Sequence, residues 1–162
     1  MNSLLDKISS YNLFNYLLPG IIFVILAKEF TYHSFIQQDI VIGVFLYYFI
    51  GLVISRFGSL VIEPILRRVS FLHFADYKEF VTAAKKDERL ELLSEVNNTY
   101  RTLCSLFLLL LLLKLYDLIA SRFSVLTEWG ATILVFLLFV VFLFSYSKQT
   151  QYITNRIKAN EE

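Results

Sequence analysis

Lys114 and Asp117 are the residues that most need a chemical explanation, because both sit inside an apolar run spanning 102–120. A charge within a membrane span is costly unless it is paired, hydrated or near the interface. At a spacing of three residues on a helix the two share a face and can form an intramembrane pair. Two chemistries fit. One is an ion path or a lock between subunits. The other is snorkelling towards the outer headgroups, since the run ends about a turn later. The remaining reactive side chains suggest less. His33 and His73 have no Cys or carboxylate neighbours at ligand spacing, so no metal site is expected. Cys104 is the single cysteine, which excludes an internal disulfide, and it reads as a small apolar packing residue. The sequence has no Gly-rich phosphate loop, no nucleophile elbow and no paired catalytic carboxylates. No catalytic residue and no cofactor is therefore expected. Net charge is only +1, and no direct nucleic-acid binding is expected.

The elements that must position these residues are four apolar runs, over 8–27, 40–55 (extendable past Arg56 to 62), 102–120 and 129–147. A bilayer core of roughly 30 Å needs about 20 helical residues at about 1.5 Å each. The runs meet or approach that length, and in lipid only helices satisfy every backbone group within one segment. Hydrophobic residues are 57% of the chain, above the roughly 45–50% usual for soluble domains. The expected fold is an all-α polytopic membrane protein. It has a first hairpin within 1–62, a helical cytosolic insertion over 63–101, a second hairpin over 102–147 and a cytosolic tail from 148 to 162. The first run reads as a retained helix rather than a cleaved signal. Pro19-Gly20 interrupts it, and no small-residue cleavage site follows before Lys28-Glu29. No lipidation motif is visible.

Basic residues set the orientation. With both termini cytoplasmic, twelve Lys and Arg residues lie inside, among them Arg56, Arg67, Arg68, Arg101 and Lys148, and only Lys28 and Arg122 lie outside. That asymmetry follows the positive-inside rule. Trp129 and Tyr146 mark the two ends of the fourth span, as an aromatic belt would. Asn97-Asn98-Thr99 matches a glycosylation acceptor but falls on the cytoplasmic side in this topology.

Within the cytosolic insertion, Pro64 is expected to end or bend the second helix. A helical pattern then starts at Asp76. Tyr77, Phe80, Val81 and Ala84 recur at three- and four-residue spacing, and Leu90, Leu93, Val96 and Tyr100 continue it. The segment reads as one helix, or two with a break near Asn97-Asn98, leading into the third span. The apolar face through Tyr77, Phe80, Val81, Leu90 and Leu93 cannot be buried by the helix alone. It is expected to dock a partner or a second copy, with the bilayer surface as the alternative. Arg56, Glu63 and Arg67 read as ordinary ion pairs at the end of the second span.

Gly51 and Ser55, with Gly58 nearby, form a small-residue stripe that permits close helix packing, within or between subunits. For Pro19 and Gly20 two readings stand open. They form a hinge or break lining a cavity, or they mark where an interfacial helix over 4–18 turns into the span.

The stretch holding Phe14, Tyr16, Leu17, Leu18, Pro19 and Gly20 resembles the F-x-Y-L-L-P-G flavour of short bacterial membrane proteins in phage-defence operons. With four spans and a helical cytosolic loop, the chain is similar in layout to the membrane subunit of the Kiwa anti-phage system. The resemblance implies a homo-oligomer, a tetramer, in the bacterial inner membrane. It further implies a sensor and scaffold that works with a separate cytosolic DNA-binding effector. The alternative function is a pore-forming effector that depolarises the membrane.

Overall fold

The computed structural model describes residues 13–161, and every regular element among them is a helix. Five are named here: α1 Leu13–Phe30, α2 Ile40–Arg68, α3 Tyr77–Ala84, α4 Arg89–Ala120 and α5 Ser124–Glu161. All but α3 are long and apolar enough to cross a membrane. At about 1.5 Å per residue, the 32 residues of α4 reach about 48 Å and the 38 of α5 about 57 Å. Both are longer than a bilayer core of roughly 30 Å.

The ends of the helices follow from local chemistry. Asp39 Oδ1 accepts the Ile42 N–H at 2.9 Å and starts α2, and Asp76 Oδ1 accepts the Lys78 N–H at 2.8 Å and starts α3. At the end of α2, the Phe71 N–H donates to Leu66 O and the Ser70 N–H to Arg67 O, with Ser70 at φ 56°. That is a Schellman stop with serine where glycine is usual.

Two prolines are absorbed where the sequence suggested interruption. A π-helical turn, Leu13–Leu17, runs directly into the α-helix Leu18–Phe30. Pro19 lies at the second residue of that α segment, directly after the π turn. Just before Pro19-Gly20 the helix changes from π to α without leaving helical conformation, and α1 runs from Leu13 to Phe30. The interfacial helix over 4–18 lies mostly outside the described residues. Likewise α2 does not end at Pro64. A π segment, Gly58–Ile62, precedes it, and the helix continues to Arg68. The break in the insertion is not at Asn97-Asn98, which α4 runs straight through. It lies in the charged stretch Lys85-Lys86-Asp87-Glu88, where Asp87 Oδ1 accepts the Arg89 N–H at 3.0 Å and opens α4.

The core joins three helices: Phe23 and Ala27 of α1, Ile54 of α2, and Leu106 and Leu110 of α4. Gly20 and Gly51 set how closely α1 and α2 approach. A Cβ on Gly20 would overlap the Tyr47 carbonyl, and one on Gly51 would overlap the Tyr16 carbonyl. A Cβ on Gly58 would collide with Ser105 and Arg101 of α4. The stripe of Gly51, Ser55 and Gly58 therefore packs helices of the same chain. By contrast α5 is a peripheral helix. Phe49 and Phe142 stack at 5.8 Å, but only 6% of its apolar window is buried. Cys104 is exposed on α4 rather than packed inside.

Candidate functional site: a buried polar pole and a loop clasp

The polar side chains of the bundle gather at two opposite ends. At the first, Glu63 of α2 is 9% exposed. Its Oε2 accepts from Arg101 Nη1 at 2.5 Å, and its Oε1 lies 3.4 Å from Lys148 Nζ. Three helices, α2, α4 and α5, are thereby tied at one carboxylate. The pairs foreseen for Glu63 with Arg56 and Arg67 are not formed. Arg67 instead lies over the Phe74 ring at 5.2 Å. A buried carboxylate selects cations from facing helices that share its desolvated side, whereas Arg67 projects from the end of α2.

Lys148 is held more completely than its single ion pair suggests. Its Nζ donates to Ser59 O at 2.7 Å and approaches Ser59 Oγ at 2.8 Å, besides Glu63. Three donors thus meet three acceptors. The Ser59 carbonyl is open for a reason. In the π register the Glu63 N–H bonds Gly58 O, and the next donor in line would be residue 64. Residue 64 is proline and has no N–H. The lysine fills the vacancy that the proline leaves.

Beneath this triad lies a layer of small polar groups. Asn15, Ser55, Thr102 and Ser105 are all buried. The Thr102 hydroxyl donates to Asn98 O at 2.8 Å, with Asn15 Oδ1 and Ser55 Oγ at 3.0 and 3.3 Å. Ser105 donates to Arg101 O at 2.7 Å. Beside the layer opens a polar cavity of about 330 Å³, lined by Arg56, Ser59, Ser94, Arg101 and Gln149 among others.

At the opposite end, Asp117 is buried but is not paired with Lys114. Its Oδ2 accepts the Tyr32 N–H at 2.9 Å, and its Oδ1 lies 2.9 Å from His33 Nε2. Lys114 is exposed and lies 5.4 Å from the centre of the Tyr32 ring. The expected pair is replaced by contacts of both residues with the α1–α2 loop, Asp117 with Tyr32 N–H and His33 and Lys114 with the Tyr32 ring. Asp117 is a clasp that ties the α1–α2 loop to α4. We expect Asp117→Ala to free that loop at a cost of about 1–3 kcal/mol, the penalty for orphaning a buried donor. A cysteine placed at Ser34 should then be labelled several-fold faster. An unchanged rate would remove Asp117 from this role.

Val81 is buried and Phe80 half-buried, and Tyr77 meets Tyr152 of α5 at 6.2 Å. This face of α3 is used within the chain. Leu90 is half-buried and Leu93 is 61% exposed. Sequence reasoning missed His33 as a partner of Asp117, and Lys148 as a partner of Glu63. Both join residues more than eighty positions apart, where local spacing carries no signal. Among the described residues no group of His, Cys, Asp or Glu is set to hold a metal ion.

Comparison with family models, curated proteins and solved structures finds no match.

Proposed function

We propose that this protein is a non-enzymatic sensor and scaffold in a bacterial inner membrane, where its cytosolic helices hold a partner protein. The bundle supplies four spans. Arg56, Arg101 and Lys148 gather at the pole of Glu63, which supports a cytoplasmic side for that pole and for both termini. The observation that carries the reading is an apolar stripe on the part of α4 that extends beyond the span. Leu92, Leu93, Val96 and Tyr100 are 60%, 61%, 42% and 65% exposed. They recur at three- and four-residue spacing, the pattern of a helix face made to be covered. The docking face thus shifts along from α3, whose apolar residues close onto the bundle.

The layout shared with the Kiwa membrane subunit supports a role in phage defence, beside a cytosolic DNA-binding effector. It also supports a homo-oligomer, a tetramer in that resemblance. With Gly51 taken up inside the chain, one surface open for assembly is the span of α5, where Val135, Phe136 and Phe139 are exposed. A pore through one copy would have to cross Phe23, Ala27, Ile54, Leu106 and Leu110, which fill the interior between the two polar ends. A pore-forming effector would conduct between copies instead.

The test is a pair of double variants in cells. Leu93→Asp with Val96→Asp should leave insertion and assembly intact but abolish co-purification of the cytosolic partner. Lys114→Leu with Asp117→Leu should leave partner binding intact. Retention of the partner by the first pair would sink the scaffold reading. Depolarisation lost only with the second pair would establish the pore.

A further inference from the structure

The cavity beside Glu63 has more cationic and hydroxyl groups than the fold uses. Glu63 is already engaged on both oxygens, by Arg101 and Lys148. Lys148 has its three donors filled. Arg56, which lines the cavity, makes no hydrogen bond or ion pair among the described residues. Arg101 spends Nη1 on Glu63, while its Nε is buried without a partner. Two cations therefore share one carboxylate, a third, Arg56, lines the cavity unpaired, and two guanidinium groups keep donors in reserve.

We propose that this cavity binds a phosphate group through Arg56 and Arg101, carried by an anionic lipid headgroup or by a small soluble phosphate compound. Guanidinium forks match both carboxylate and phosphate. The count of donors separates the two. Ser94, Gln149 and Tyr152 line the same space, more donors than two carboxylate oxygens can use and suited to a phosphate. The volume, about 330 Å³, lies at the low end of small-molecule sites, roughly 300–1,000 Å³. Basic pockets between spans on the cytoplasmic side are suited to anionic headgroups. The inference takes the membrane setting from the reading above, and it does not depend on the protein partner.

The experiment uses the full chain in mild detergent. Native mass spectrometry follows retention of phosphatidylglycerol against phosphatidylcholine, and a thermal shift follows added pyrophosphate. Arg56→Gln removes a cation that supports no contact of the fold, so its melting point without ligand should stay put. Binding should fall about tenfold, the effect of losing one charge-assisted hydrogen bond. Gln149→Leu is a second, uncharged probe of the same wall and should weaken binding in the same sense. Retained phosphatidylglycerol without a pyrophosphate response assigns the phosphate to lipid. A pyrophosphate response lost in Arg56→Gln assigns it to a soluble compound. Absence of both, or binding that neither variant weakens, overturns the proposal. Retention of the partner in the Leu93/Val96 experiment, which would sink the scaffold reading, would leave this result unaffected.

Discussion

Gly51→Leu should leave little folded protein. The backbone carbonyl of Tyr16 occupies the place where a Cβ on Gly51 would sit. Backbone cannot swing aside as a side chain does, so α1 and α2 must separate along their length. Overpacking in an ordinary core costs about 1–3 kcal/mol. Here the reciprocal contact of Gly20 with the Tyr47 carbonyl is opened at the same stroke, and the loss should exceed that range. The measurement is the fraction that runs as a monodisperse species in detergent, with trypsin sensitivity as the second readout. Gly51→Ala should show the same defect in weaker form. Wild-type yield and protease resistance for Gly51→Leu would show that the two helices do not meet at this point.

Glu63→Ala should be the next most damaging change. It leaves Arg101 and Lys148 facing each other across a buried site without their shared anion. Breaking a buried ion pair by removing one partner costs about 3–5 kcal/mol. The lower end is expected, because the Arg101 and Lys148 side chains keep 20% and 25% exposure to solvent. Unfolding of the purified chain in a denaturing detergent gives the shift. Adding Lys148→Gln to Glu63→Ala should restore part of it, since one stranded cation is gone while a donor for the Ser59 carbonyl is kept. A double variant no better than the single would show that the two side chains are not coupled.

Much of the architecture is written in composition. The runs at 40–55, 102–120 and 129–147 each fall inside a long helix, because a backbone flanked by apolar side chains has no better way to satisfy its own donors. What sequence could not supply was pairing over distance. Lys114 and Asp117 are neighbours in the chain, and spacing alone put them together. The structure gives Asp117 to Tyr32 and His33, because burial is decided by which face of α4 meets α1. Val81 illustrates the same limit. Its spacing revealed an apolar face correctly, but only the packing of α3 against α4 and α5 shows what covers it. Pro64 is the instructive intermediate case. Its missing donor was legible, whereas the π segment that displaces the vacancy onto Ser59, and the lysine that fills it, were not.

The π segment Gly58–Ile62 also works as a phase shifter. One surplus residue in a turn rotates everything downstream by about 100° relative to an uninterrupted α-helix. The apolar half of α2 and its charged end are thus indexed separately, one to α1 and the other to α4 and α5. Deleting any single residue of that segment would remove the surplus residue and keep nearly the same composition, with Pro64 still leaving one carbonyl without a donor. It would also turn Glu63 away from Arg101 and Lys148. A change that looks trivial in length would rewire the whole pole, so this five-residue stretch should tolerate substitution far better than it tolerates a gap.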